Sequence, residues 1–99
     1  KAEHAYLGVS LADGSVTVAG AERSAALIGT VTPGSAAEKA GLQANDAIIA
    51  VDGQVVDGAD SLVARVRALR PGTSITLSIV RDGQEQKVDV TPQARPATS

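Results

Sequence analysis

The clearest periodic stretch of the chain is Ser74-Ile75-Thr76-Leu77-Ser78-Ile79, in which polar and apolar residues alternate strictly. A period of two sends successive side chains to opposite faces, so this segment reads as a half-buried β-strand. Arg81-Asp82-Gly83-Gln84 follows. Asp-Gly at its centre suits a tight type I′ hairpin turn, and Val88-Asp89-Val90 continues the returning strand. Leu27-Ile28-Gly29-Thr30-Val31 and Ala47-Ile48-Ile49-Ala50-Val51 are short β-branched runs between turn residues, and both read as strands buried on two faces. Asp52-Gly53 turns the chain after the second.

Two segments switch to helical spacing. The first follows Thr32-Pro33-Gly34 with a capping box in which Ser35 caps and Glu38 reaches back, and Gly41 closes it. So short a helix does not persist alone in water and must be held by packing. The second is predicted from Ala59 to Arg70, where Leu62, Val63, Val66 and Leu69 form one apolar face and Pro71-Gly72 stops the helix. Asp57 or Gly58 caps it, Asp60 complements the helix dipole, and Arg65, Arg67 and Arg70 make a polar side. Residues 12–26, rich in Ala, read as a long loop, with Val16-Thr17-Val18 as a candidate edge strand. Residues 93–99 read as a flexible C-terminal tail, which leaves one domain over 1–92.

A chain of 99 residues supports one compact domain. With 43% hydrophobic and 20% charged residues it can bury a core, and the core must be aliphatic because the sequence holds no Phe, Trp or Met and one Tyr. The lack of Cys removes disulfides, thiol nucleophiles and thiolate ligands. A net charge of −2, scattered basic residues and a single aromatic argue against nucleic-acid binding. No run approaches the roughly 20 strongly apolar residues of a membrane span. There is no G-x-S-x-G, P-loop or G-x-G-x-x-G motif, and one His cannot build a two- or three-histidine metal site, so no catalytic residue, metal or cofactor is assigned. Beginning at Lys1 rather than Met, the sequence reads as a piece of a longer protein, with any targeting segment outside it.

The order of elements meets four motifs with a family likeness. Tyr6-Leu7-Gly8-Val9 resembles the carboxylate-binding loop of PDZ domains. Thr32-Pro33-Gly34-Ser35-Ala36-Ala37-Glu38-Lys39-Ala40-Gly41-Leu42, then Asn45-Asp46-Ala47-Ile48-Ile49-Ala50-Val51-Asp52-Gly53, resembles the PGSPAxxAGL…GDxIxxxxG run of bacterial PDZ domains. Leu69-Arg70-Pro71-Gly72, with Val80-Arg81-Asp82-Gly83 after it, is similar to the closing segment in HtrA-like (DegP/DegS-type) bacterial serine proteases. Together these span most of the chain. The resemblance implies an α+β, mainly β fold: a five- to six-stranded β-sandwich or partly open barrel capped by two α-helices. It also implies a peptide groove between one strand, with Ser10 and Leu11, and the longer helix, with Val63, Val66 and Arg67.

The chemistry of such a groove is physically specific. An unpaired sheet edge can accept an extended peptide as one more strand. A C-terminal carboxylate leaving water needs several converging donors, here expected from the backbone N–H groups of Leu7, Gly8 and Val9, with Gly8 permitting close approach and Tyr6 walling the loop. Leu7, Val9, Val63 and Val66 would form an apolar pocket for a small aliphatic terminus, while Leu62 and Leu69 face the core. Plainer readings stand beside these: Gly8 as a turn glycine, Tyr6 as a packed aromatic, Val63 and Val66 as core, Asp46 and Asp52 as turn acids, and the arginines as a solvated face. Related domains often carry Arg two positions before the loop aromatic, where this chain has His4. A solvated His4 without a role is the favoured reading; the other is a carboxylate contact that strengthens binding under mild acidity, because His protonates near about pH 6.5.

The resemblance implies a non-catalytic module that captures peptide C-termini or unfolded protein segments, and that feeds or regulates the serine protease domain of the same, homo-oligomeric parent. The parent's catalytic Ser, His and Asp would lie before Lys1. Such an enzyme would serve protein quality control and the stress response in the cell envelope, in the periplasm or another extracytoplasmic space, tethered through its N-terminal region. A scaffolding domain, or the PDZ domain of a tail-specific or intramembrane protease, is the alternative.

Overall fold

The computed structural model describes residues 5–69 and 72–94. Within them lie eight strands and two helices in the order β1 (Ala5–Tyr6), β2 (Val9–Val18), β3 (Ala21–Val31), α1 (Ala36–Ala40), β4 (Ala47–Val51), β5 (Gln54–Val55), α2 (Ala59–Arg67), β6 (Ile75–Arg81), β7 (Gln84–Val90) and β8 (Gln93–Ala94). One antiparallel sheet runs β2-β3-β4-β6-β7, with β5 paired to β4, and β1 pairs with β8 in a small second sheet. The sheet does not close, so β2 stands at an edge. This is the mainly β, partly open, two-helix architecture expected. Gln93 and Ala94, the first residues after the expected domain boundary at 92, pair with Tyr6 and Ala5.

The largest departure is in residues 12–26, expected as a loop. They belong to a long hairpin of β2 and β3 whose pairing runs from Val9↔Val31 to Val18↔Ala21. The hairpin escapes notice because β2 changes the face it buries. Val9 and Leu11, on its odd-numbered face, pack on the main core; Val16 and Val18, on its even-numbered face, pack on a second cluster with Ala25, Ala47, Ile49 and Val80. No single alternation covers the strand, so the period-two signal fails at the crossover near Gly14. The turn is also atypical: Ala19 and Gly20 have φ of 52° and 80°. That is type I′ geometry, in which Ala is disfavoured. The expected turns at Asp52-Gly53 and Asp82-Gly83 have the same left-handed pair, with φ of 50° and 83°, and 54° and 78°.

The β6 strand begins at Ile75 and is buried through Leu77, Ser78, Ile79 and Val80, so it is central rather than half-buried. Its polar alternation survives because Thr76 and Ser78 find partners: Thr76 Oγ1 donates to Asp89 Oδ1 at 2.9 Å, and Lys87 Nζ donates to Ser78 Oγ at 3.5 Å. In α1 the Ser35 hydroxyl accepts from the Glu38 N–H at 3.2 Å, while the Glu38 carboxylate accepts from Gly34 N–H at 2.7 Å, one residue before the cap. Gly41 ends the helix with φ of 92°. The α2 helix is shorter than expected, with Gly58 as N-cap and Ala68 as C-cap; Arg70 and Pro71, expected at its end, lie outside the described residues.

An ion pair ties the α1–β4 connection to the β6–β7 hairpin. Arg81 Nε and Nη2 donate to the two carboxylate oxygens of Asp46 at 2.9 and 2.6 Å, and Nη2 also donates to Gly41 O at 3.0 Å. Asp46 additionally accepts from Gln43 N–H at 2.9 Å. At 2% exposure Asp46 is a buried structural acid rather than a simple turn residue. The hydrogen bond to Asp46 raises the Arg81 pKa above its ordinary value, with burial opposing and the charges of Asp46 and Asp82 adding to it.

Candidate peptide groove

The loop between β1 and β2 is fixed by its carbonyls. Leu7 O accepts from Ala37 N–H at 3.0 Å, and Gly8 O accepts from Thr32 N–H at 2.8 Å. The described peptides are not cis, and in a planar trans peptide the N–H points opposite to the C=O. The Gly8 and Val9 N–H groups therefore point away from α1 and β3. The same bond from Thr32 makes Val9↔Val31 a non-hydrogen-bonded pair, whose own N–H and C=O groups turn outward. By strand alternation, the backbone polar groups of Val9, Leu11 and Asp13 all face the open side of β2.

Gly8 is required here on two counts. Its φ is 85°, and a Cβ on it would lie 2.3 Å from Ser35 Cβ, so the loop rests directly on the cap of α1. The short helix thus shapes the loop from behind: Ser35 is buried against Gly8, and the first turn of α1 takes the Leu7 carbonyl. Leu7 itself is buried in the core at 5% exposure.

Helix α2 packs on β1 and β2 and supplies the opposite wall. Its N-terminus is pinned from the strand, where Asp13 Oδ1 accepts from Ala59 N–H at 2.7 Å. From Asp13 back to Val9 is about 13 Å of strand, and nine helical residues span about 13 Å, so the last turn of α2 returns to the loop. On the flank facing β5, Arg65 Nη1 donates to Gln54 Oε1. At about 100° per residue, Asp60, Val63 and Arg67 share a flank roughly 140–160° away from Arg65, on the side of β2.

The expected site residues separate accordingly. Val63, 39% exposed, and exposed Arg67 lie on the flank beside the strand edge. Val66 is buried in the main core with Leu62, and Leu69 packs against them. Ser10 points off the groove face: its hydroxyl accepts from Thr30 N–H and pairs with Thr30 Oγ1, each at 2.9 Å. Leu11 is half-buried on the core side. His4 lies outside the described residues, as does the side chain of Tyr6. Sequence reasoning missed Asp13, since a strand carboxylate capping a helix 46 residues away leaves no local signal. Among the described residues no three His, Cys, Asp or Glu side chains gather as metal ligands. A separate concavity of about 540 Å³ beside α1, lined in part by Lys39, Asp89 and Pro92, shares no residue with this edge.

An open strand edge headed by outward amides and walled by a helix defines the PDZ class of architecture. The PDZ domain family model matches residues 5–91, and the chain belongs to this family. It is 38% identical over 100 residues to a probable periplasmic serine endoprotease, DegP-like, of Marinomonas sp. (strain MWYL1), covering 97% of this chain and 21% of that protein. It is 39% identical over 69 residues to the zinc metalloprotease RasP of Geobacillus kaustophilus (strain HTA426), covering 70% of this chain and 16% of that protein. Among solved structures, the HtrA-type protease AlgW with tripeptide superposes with a TM-score of 0.81 at 22% identity, over 97% of this chain and 33% of that one. The chain thus spans about a fifth of the DegP-like relative's length.

Proposed function

We propose that this domain captures the C-terminal ends of polypeptides by strand addition along β2, and delivers them to, or signals them to, the protease domain of an HtrA-like parent. The observation that carries the reading is the pair of Gly8 and Val9 N–H groups directed outward at the head of an open strand edge, where a terminal carboxylate would gain charge-assisted bonds. Val63 would contact the terminal side chain, and Arg67 would add positive charge near the carboxylate. Periplasmic work is supported by the name of the DegP-like relative. The similarity to the zinc metalloprotease RasP favours a second parent, a metalloprotease, with the same groove chemistry.

The test is titration with a C-terminal peptide library, followed by comparison of the best binder with its C-terminally amidated twin while the Gly8 and Val9 amides are followed by NMR. Loss of charge-assisted bonds worth about 1.5–3 kcal/mol predicts roughly 10- to 150-fold weaker binding of the amide. Equal binding of the two peptides would instead indicate capture of internal segments, and absence of any binding would leave a scaffolding role.

A further inference from the structure

Resting on that groove, we infer that Asp13 is a specificity-determining residue, selecting a basic side chain on the ligand residue four positions before the C-terminus. The register follows from the edge already described. A terminal carboxylate on the Val9 N–H, with the ligand's terminal N–H on the Val9 carbonyl, makes the last residue a hydrogen-bonded partner of Val9. Antiparallel pairing then advances in twos, to Leu11 and then to Asp13. Directly opposed residues of an antiparallel pair share a face, so the ligand side chain opposite Asp13 projects to the same side as its carboxylate.

That carboxylate is held in place and only half used. Oδ1 accepts from Ala59 N–H at 2.7 Å, and among the described residues Oδ2 has no hydrogen-bond partner. The position is built to receive it: Gly58, the N-cap of α2, makes no side-chain cap of its own, and a Cβ there would lie 2.6 Å from Asp13 Oδ1. A second observation points the same way. The flank of α2 beside β2 reads Asp60, Val63, Arg67, acidic at the Asp13 end, apolar in the middle and basic at the loop end. A peptide with a C-terminal carboxylate and an upstream Lys or Arg has the complementary order of charge.

The test uses three decapeptides that differ only at that position, carrying Lys, Ala or Glu, titrated by fluorescence anisotropy into the wild-type chain and into Asp13→Asn. Asn keeps the oxygen that caps Ala59 but loses the charge, so folding is preserved. Wild type should bind the Lys peptide about 3- to 30-fold tighter than the Glu peptide at low salt, with the ratio shrinking as salt screens it. Asp13→Asn should at least halve that ratio while binding the Ala peptide as wild type does. A ratio left unchanged by Asp13→Asn, or equal binding of the Lys and Glu peptides by wild type, overturns the inference. Failure of even the Ala peptide to bind wild type overturns the groove itself, and this assignment with it.

Discussion

Gly8 and Arg81 show how much of this fold hangs on single side chains, or on the lack of one. At Gly8 a Cβ meets both a left-handed backbone and Ser35. Gly8→Ala should destabilise the domain by about 2 kcal/mol or more, the left-handed conformation accounting for about 1–2 kcal/mol and the clash for the rest. Gly53→Ala is the control, since Gly53 has φ of 83° but, among the described residues, nothing lies within 4 Å of its Cβ position, so urea midpoints should show a smaller loss there. At Arg81 the pKa is raised in the fold, so the guanidinium stays charged through the ordinary arginine range and its side of the ion pair fades only in strong alkali. Arg81→Ala leaves the Asp46 carboxylate buried without its fork and should cost about 3 kcal/mol in urea denaturation, the 25% exposure of Arg81 holding the loss near the low end for a broken buried pair. Arg81→Lys should recover little of it, because one ammonium cannot span both carboxylate oxygens.

Among the elements, the β2–β3 hairpin carries a local strain at its turn. Ala19 holds φ of 52° at the first central position of its turn. Asn at that position meets the same dihedral at lower cost, so Ala19→Asn should stabilise the domain by about 1 kcal/mol, read as a higher urea midpoint with an unchanged slope. The same hairpin is where local pattern misleads. Strand β6, the Asp-Gly turns and the caps of α1 were legible because each depends on residues within a few positions of one another. Strand β2 was legible only in pieces, Val16-Thr17-Val18 as a candidate edge strand and Ser10-Leu11 through the family resemblance, since its two halves answer to different clusters on opposite faces. Helix α2 was legible in its face and first turn, but its N-terminal cap comes from a distant strand.

Across the whole molecule, those two clusters share strands β4 and β6, which joins them into one cooperative unit. Ile48 and Ile49, on opposite faces of β4, lie in the main core and the second cluster, and a register shift between Ile48 and Ala50 returns Val51 to the main core. Ile49→Ala and Leu77→Ala should therefore each lower a single shared unfolding transition by about 2–4 kcal/mol, and circular dichroism and a peptide-binding probe should report the same midpoint. The local sequence determined the aliphatic core, the central strands and both helices, because alternation, capping and turn chemistry act over one to a few residues, whereas the loop at Tyr6-Leu7-Gly8-Val9 was read through its resemblance to a family motif. Only the tertiary structure decided which amides of that loop face outward, that Val66 belongs to the core while Val63 stays exposed, and that Asp13 and Asp46 meet Ala59 and Arg81. Those outcomes depend on where remote carbonyls, carboxylates and strand edges come to rest, and the free energy of burying them is set by partners far along the chain.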